Sequence, residues 1–380
     1  MKRVFVVVFD SFGVGATPDA KAYGDEGSNT LKAISTSTKL NIPTLTKLGL
    51  FNIDGVNFKP ECKTPMAKYA KLEELSVGKD STTGHFEMAG IITKKPFPTF
   101  KKGFPKAVIS KLEKAWGKKV LCNKPYSGTQ VINDYGCEHI KTGNPIVYTS
   151  ADSVLQIACH EEVVPLDVLY TMCRQARKIM QGKYGVGRII ARPFLGEYPN
   201  FYRTANRHDF SLVPPSPNLL SELVKNHKQV VAIGKINDIF ANTNITQKIE
   251  SNNNHEGIEK FLAMQNEEFN GLCFLNLCDF DMKFGHRNDI DGYAQELTFI
   301  DSKLDLFIKN MKEDDALIIT ADHGCDPSTT STDHSREYVP FLLYHNNIEP
   351  ENLHIIKGFN FVGKTVLNLL DVQTDCKTLK

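Results

Sequence analysis

No apolar stretch in these 380 residues approaches the roughly 20 needed to cross a bilayer, so nothing in the sequence asks for a membrane span. Charge of one sign is missing as well. Charged residues make up 23% and the net charge is +1, which excludes a wholesale polyanion binder and gives no reason to expect disorder. The nine cysteines (62, 122, 137, 159, 173, 273, 278, 325 and 376) are scattered, odd in number, and contain no Cys-x-x-Cys pair. That excludes a thiolate zinc site of the usual spacing and argues against a disulfide framework; reduced, mostly structural cysteines in a cytoplasmic protein fit better. Internal repeats and low-complexity tracts are absent too. Lys2-Arg3 ahead of Val4–Phe9 has the outline of a signal peptide, but the run is six residues long, ends on Asp10 and lacks a small-residue cleavage pattern, so it reads as a first strand. The expectation is a soluble monomer with no nucleic-acid, membrane or obligate protein partner.

What is present is a recurrence. Three short apolar runs stop at an aspartate: Val4–Phe9 before Asp10, Leu272–Cys278 before Asp279 and Asp281, and Ala316–Ala321 before Asp322. Such runs read as strands buried on both faces, and in open parallel sheets ligands sit beyond the carboxyl ends of the strands. Three carboxylates are therefore expected at one sheet edge. Histidines accompany two of them: His286 five positions after Asp281, and His323 directly after Asp322 with His334 eleven further on.

The length implies two domains rather than one. Between 97 and 213 there are 17 Lys and Arg against 9 Asp and Glu, a net of +8, which leaves −7 for the remainder. This segment holds six of the nine arginines and its own elements: a helix carrying Val108, Leu112 and Ala115, a strand at Ile146–Tyr148, a helix over Asp167–Gln181 and a strand over Arg188–Phe194. It reads as an inserted basic domain, with residues 1–96 and 214–380 forming the core around it. A helix is expected from Ser216-Pro217, as cap and first helical residue, to Val224, and another beginning at Phe86–Ile92. A long amphipathic helix follows from Tyr293, Leu297, Ile300, Leu304, Phe307 and Met311. Alternating strands and helices with buried strands imply an α/β core of mostly parallel sheet with helices on both faces.

A divalent metal needs fixed, deprotonated, convergent oxygen or nitrogen donors. Asp10, Asp322 and His323 supply one such set, and Asp281, His286 and His334 a second. Two ions about 4 Å apart are the recurrent device for moving phosphoryl groups, because they stabilise both attacking and leaving oxygens. Singly, Asp10 reads as readily as a turn residue and each histidine as structural; it is the set of six that points to a site. The loop Gly78–His85 offers three adjacent hydroxyls, Ser81, Thr82 and Thr83, among which chemistry alone does not choose a nucleophile.

Seven stretches in order resemble the phosphopentomutases of the alkaline phosphatase superfamily: Phe9–Gly15, Gly78–His85, Tyr148–Ser153, Ile190–Phe194, Asn206–Asp209, Asp279–Asp281 with Phe284–His286, and Thr320–Gly324 with Thr332–His334. The Asp and His motifs alone would mark only the superfamily; the stretches at 148, 190 and 206 lie in the inserted segment and point to the mutases. The resemblance implies an alkaline-phosphatase-like core with a smaller inserted α/β cap domain that binds substrate. It implies two manganese ions per chain on the two ligand sets, and a nucleophile at Ser81, where the family usually has threonine. Cys325 stands where the family generally shows asparagine. Family substrate contacts carry onto Asp152, Arg188, Arg203 and Lys235, and onto Arg192 and Arg207. The implied activity interconverts ribose 1-phosphate and ribose 5-phosphate, and the deoxy sugars, through a phosphoserine and a bisphosphate, with a bisphosphorylated sugar as activator. Three competing readings are a cofactor-independent phosphoglycerate mutase, a phosphatase or phosphodiesterase in which water takes the phosphoryl group, and a non-catalytic metal-binding relative.

Overall fold

The structure, a computed structural model, describes residues 2–150 and 153–380. The chain forms two compact units, one running to Lys95 and resuming over Pro214–Lys380, the other Pro96–Val213. The first unit begins with β1 (Arg3–Phe9) and β2 (Lys68–Glu73). The second holds β3 (Leu121–Pro125), β4 (Ile146–Thr149), β5 (Val154–His160), β6 (Arg188–Leu195), β7 (Tyr202–Arg203) and β8 (His208–Ser211). The first unit then adds β9 (Gln229–Ile233), β10 (Gln247–Ile249), β11 (Gly271–Leu277), β12 (Asp315–Thr320), β13 (Val339–His345) and β14 (Glu351–Lys357).

In the first unit eight strands lie in the order β10-β9-β11-β1-β12-β13-β2-β14. The run from β10 to β12 is parallel throughout, and β13 is antiparallel to both neighbours. Every residue of β1, β11 and β12 is buried, as continuous apolar strands in the middle of a covered parallel sheet should be. The long helix spans Ile290–Lys309 and buries Tyr293, Leu297, Ile300, Leu304 and Phe307. Phe307 meets Phe5 of β1 edge-on at 4.9 Å between ring centroids, and Phe261 from the helix Asn254–Ala263 meets it at 5.5 Å, so both helices cover one face of the sheet. At the sheet's other end from the aspartates, Arg3 and Asp315 open β1 and β12 and form a buried two-point ion pair, with Nε–Oδ1 and Nη2–Oδ2 both 2.7 Å.

The second unit is a mixed sheet in the order β3-β4-β5-β6-β7, with β8 also on β6. Leu155, Ile157 and Cys159 of β5 pack with the helices Lys106–Trp116 and Leu166–Ile179, while Ala158, Tyr148 and Phe194 pack with the helix Gln130–Thr142. The period of two along β5 thus divides two cores between the faces of one sheet.

Three local expectations need correction. The helix expected from Ser216 begins at Leu219: Asn218 has an extended backbone and its side chain accepts the Ser221 N–H at 3.1 Å in a capping box, so the amide two residues on outcompetes the serine. The helix expected from Phe86 begins earlier, at Ser81, because Asp80 caps it through the Thr83 N–H at 3.1 Å. Strands β13 and β14 lie outside the sequence expectation. Pro340 obscures the first, and the second is an edge strand with exposed residues and no apolar run.

Candidate metal centre

Adjacent registers pair Phe9 with Leu277 and Val8 with Thr320, so β11, β1 and β12 end together. Asp10 follows β1 directly, Asp322 lies two residues beyond β12, and Asp281 sits in the short π-helical turn Phe280–Phe284 after β11. All three are buried. Asp279, at the same strand end, is used otherwise: its carboxylate accepts the Asn254 N–H at 3.0 Å and Lys283 Nζ at 2.9 Å.

The six expected ligands come together as two adjoining groups. In one, His334 Nε2 lies 3.2 Å from Asp281 Oδ1, His286 Nε2 lies 3.3 Å from Asp281 Oδ2, and the two Nε2 atoms are 3.1 Å apart. Each ring donates its other nitrogen to a carbonyl, His286 Nδ1 to Thr332 O at 2.6 Å and His334 Nδ1 to Lys79 O at 2.9 Å. That orientation turns the Nε2 atoms inward, as second-partner hydrogen bonds do for metal-bound imidazoles. In the other group, His323 Nε2 lies 3.4 Å from Asp10 Oδ1, 3.5 Å from Asp322 Oδ2 and 3.1 Å from Ser81 Oγ, while its Nδ1 donates to Gly324 O at 3.0 Å. Asp10, Asp281 and His323 also each place one ligand atom within 4.8 Å of the others.

Two buried carboxylate oxygens here, Asp10 Oδ1 and Asp281 Oδ1, have no hydrogen-bond partner, and a third, Asp322 Oδ2, has only His85 Nδ1 at 3.2 Å, a nitrogen that lies closer to the Ser81 carbonyl. A buried anionic oxygen without a donor is costly unless a cation meets it. Donor chemistry and geometry therefore fit divalent cations. The same demand for positive charge raises the imidazoles: the hydrogen bond to Asp281 and one to Cys325 push His286 up to about 11, and although burial opposes it, Asp322 and Asp10 hold His323 well above its usual value. Burial and the neighbouring Asp322 push Asp10 up from the ordinary carboxylate range.

Ser81 is the first residue of its helix, where free backbone N–H groups and the helix dipole favour a phosphate. Of the three neighbouring hydroxyls, Thr83 Oγ1 is engaged by Asp80 at 2.6 Å, and it is Ser81 Oγ that faces His323. Gly84 permits this placement. A Cβ there would stand 2.0 Å from the backbone oxygen of Asp322, so the helix lies directly on the metal-ligand turn.

Three residues of the site escape the sequence reading. His85, on the helix Ser81–Met88, and Asn276, on β11, are buried beside the ligand groups; the signal for Asn276 was an amide inside an otherwise apolar strand. Arg336 donates to the carbonyls of Glu74, Ser76 and Gly78 and to the carboxylates of Asp19 and Glu74, and so holds the loop leading to Ser81. Cys325 is buried, with Sγ 3.5 Å from Asp333 O.

Of the expected substrate contacts, Lys235 follows β9, with Nζ 2.8 Å from the Met282 sulfur beside Asp281. Asp152 lies outside the described residues. In the second unit Arg188 and Arg192 are on β6, Arg203 on β7, and Arg207 precedes β8. Arg207 grips Asp209 with two bonds of 2.8 and 2.7 Å, Arg188 approaches the same carboxylate at 3.5 Å, and Arg192 Nε donates to Gln156 at 2.9 Å. Burial, with Arg207 and Arg203 nearby, lowers Arg192 to about 10. The guanidiniums of Arg207, Arg188 and Arg192 act on the one carboxylate of Asp209, while Arg203 donates to the Tyr148 hydroxyl at 3.3 Å; such an excess of guanidinium over carboxylate suits an anion.

Among the described residues no helix is long and apolar enough to cross a membrane. A family model described as the metalloenzyme superfamily matches residues 2–374. The chain is 56% identical to a phosphopentomutase from Lachnoclostridium phytofermentans over 98% of its own length and 96% of the relative's. It is 51% identical to one from Caldanaerobacter subterraneus subsp. tengcongensis, over 98% and 95%. Among solved structures, the PH0037 protein from Pyrococcus horikoshii matches 98% of both chains at a TM-score of 0.52 and 12% identity, a likeness of fold alone.

Proposed function

Since the chain belongs to the phosphopentomutases of the metalloenzyme superfamily, and is thus a phosphomutase, we propose that it interconverts α-D-ribose 1-phosphate and ribose 5-phosphate, and the 2-deoxy sugars likewise, by way of phosphorylated Ser81. The observation that carries this reading is the position of Ser81 Oγ at a helix N-terminus, 3.1 Å from the His323 imidazole, in a site where the buried Asp10 Oδ1 and Asp281 Oδ1 have no hydrogen-bond partner.

O5 of ribose 1-phosphate attacks the phosphorus of phosphoserine 81 and the P–Oγ bond breaks; the proton leaving O5 balances the one gained by Oγ. The resulting 1,5-bisphosphate reorients or rebinds. Ser81 Oγ then attacks the phosphorus on O1 and the P–O1 bond breaks, the proton lost from Oγ balancing the one gained by O1, which regenerates phosphoserine and releases ribose 5-phosphate. A bisphosphorylated sugar phosphorylates a resting Ser81 by the same step and so acts as activator. Backbone N–H groups at the start of helix Ser81–Met88 stabilise the transferring phosphoryl oxygens. Asp10, Asp322 and His323 would hold one divalent ion and Asp281, His286 and His334 another, proposed as manganese, and these would supply Lewis-acid stabilisation to the phosphoryl group in transfer. The inserted unit is proposed as the substrate-binding domain, its arginine group being chemically suited to a sugar phosphate. Nine free cysteines and a sugar-phosphate substrate support a cytoplasmic enzyme.

The test is Ser81→Ala, assayed for conversion of ribose 1-phosphate with and without Mn2+ and for covalent phosphate by intact mass. Loss of both conversion and phosphoprotein is expected; turnover retained in the variant would sink the assignment. Release of inorganic phosphate in place of the isomeric pentose phosphate would instead make the enzyme a phosphatase.

A further inference from the structure

His85 and Asn276 belong to neither ligand set, yet both are buried against it, at 0% and 2% exposure. Asn276 Nδ2 lies 3.1 Å from Asp10 Oδ2 and 3.2 Å from His85 Nε2. On the other side of the ring, His85 Nδ1 lies 2.8 Å from the carbonyl oxygen of Ser81 and 3.2 Å from Asp322 Oδ2. The donors and acceptors allow one assignment. An amide nitrogen only donates, so His85 Nε2 accepts; a carbonyl and a carboxylate only accept, so the ring proton is on Nδ1. The reversed amide would set Asn276 Oδ1 against the Asp10 carboxylate. A continuous path therefore joins two carboxylates of one metal group to the backbone of the nucleophile.

A polar pair that merely fills space in the core would be satisfied by any partners. Here one amide hydrogen goes to Asp10 and the other to His85 Nε2, and the ring's remaining nitrogen, Nδ1, faces the Ser81 carbonyl and Asp322. We propose that Asn276 and His85 are positioning residues that orient the Asp10 and Asp322 carboxylates toward their metal ion and lock the first turn of the Ser81 helix to the same ion. The inference rests on the phosphoserine and metal reading above. Its consequence is that metal affinity and nucleophile placement are set together, so loss of the bridge weakens metal binding and slows phosphoryl transfer while sparing substrate binding.

Three substitutions separate bridging from packing. His85→Asn keeps an N–H near the position of Nδ1, His85→Gln keeps one nearer Nε2, and His85→Phe keeps the ring without either. Mn2+ binding is measured by the electron paramagnetic resonance signal of the free ion, with no turnover involved, and kcat and KM for ribose 1-phosphate are measured separately. In His85→Phe, affinity at one of the two Mn2+ sites and kcat are each expected to fall by about 10- to 100-fold, as for other residues that orient metal ligands, with KM little changed. His85→Asn is expected to recover most of both losses and His85→Gln little of either. Neutron diffraction from the wild-type crystal locates the ring deuteron, and does so even if the Phe variant fails to fold. A deuteron on Nδ1 supports the bridge; one on Nε2 overturns it, as does wild-type Mn2+ affinity in His85→Phe. If the wild-type chain bound no Mn2+, or Ser81→Ala turned over, the function proposed above would fall first and take this inference with it.

Discussion

Gly84 sits inside the helix Ser81–Met88, where replacement by alanine would ordinarily stabilise by about 1 kcal/mol through backbone entropy. The structure reverses that sign. A Cβ at Gly84 would lie 2.0 Å from Asp322 O, 2.8 Å from its carbonyl carbon and 3.0 Å from its Cα, whereas ordinary contact begins at 3.4 Å. Relief therefore needs a separation of about 1.4 Å between two backbones, and no flexible side chain is available to absorb it. Overpacking of this kind costs about 1–3 kcal/mol, which outweighs the gain in propensity. What moves is either the Ser81 helix or the Asp322 turn, and both hold the 3.1 Å approach of Ser81 Oγ to His323. A misplacement near 1 Å at a reacting centre costs on the order of 100-fold in rate. Gly84→Ala is thus expected to lower kcat by about 100-fold with a far smaller change in KM, and to lower the urea midpoint, in a coupled assay of ribose 1-phosphate conversion and a fluorescence unfolding curve. A variant more stable than wild type with kcat within about threefold of it would refute the reasoning, since propensity would then have won over contact.

Asp315→Ala leaves Arg3 buried without its counter-ion, both side chains being at most 3% exposed. A loss of about 3–5 kcal/mol is expected by urea unfolding, with turnover of the folded enzyme unchanged because the pair lies at the opposite strand ends from Asp10; a loss under about 1 kcal/mol would contradict the burial argument. Asp209 shows a pH signature. Burial opposes its ionisation, but the Arg207 hydrogen bonds and charge hold its carboxyl below the ordinary 3.8. The stability it contributes is therefore present above about pH 3.8 and lost as pH falls through the lower folded value, so the stability gap between wild type and Asp209→Asn should close under acid, by calorimetry. A gap constant with pH would remove the ion pair as its cause. Chelation of divalent metal should lower the melting temperature and Mn2+ should restore it, by about 2.7 kcal/mol of stability at 100 times the dissociation constant; identical melting in both conditions would argue against the metal groups.

Much of the core was legible because burial on both faces leaves a local mark. Val4–Phe9 and Ala316–Thr320 announce buried strands without any knowledge of their neighbours, and the aspartates after them follow from where such strands end. Phe307 likewise belongs to the three-to-four-residue period of Tyr293, Leu297, Ile300 and Leu304, which survives in isolation. The edge strand β14 left no such mark, and Pro340 disguised β13. At the site, the six candidate ligands were readable as residue types, three aspartates at or just past strand ends and histidines in the segments that follow, whereas His85, Asn276 and Arg336 were not. Their roles lie in hydrogen bonds to residues far away in sequence, such as Asn276 to Asp10 and Arg336 to Gly78.

The sequence by itself determined the alternation of strands and helices, the chemical identity of the ligand atoms, the basic character of the inserted segment and the likeness to the mutases. All of these are carried by residue type and short-range spacing. Only the tertiary structure decided which of three adjacent hydroxyls faces His323, that the Asp279 carboxylate is taken up by Asn254 and Lys283, and that His85 lies between the Ser81 carbonyl and Asp322. Those outcomes depend on the parallel register of β11, β1 and β12 and on the close approach permitted at Gly84. Register and approach are set by packing across hundreds of residues, and no local period records them.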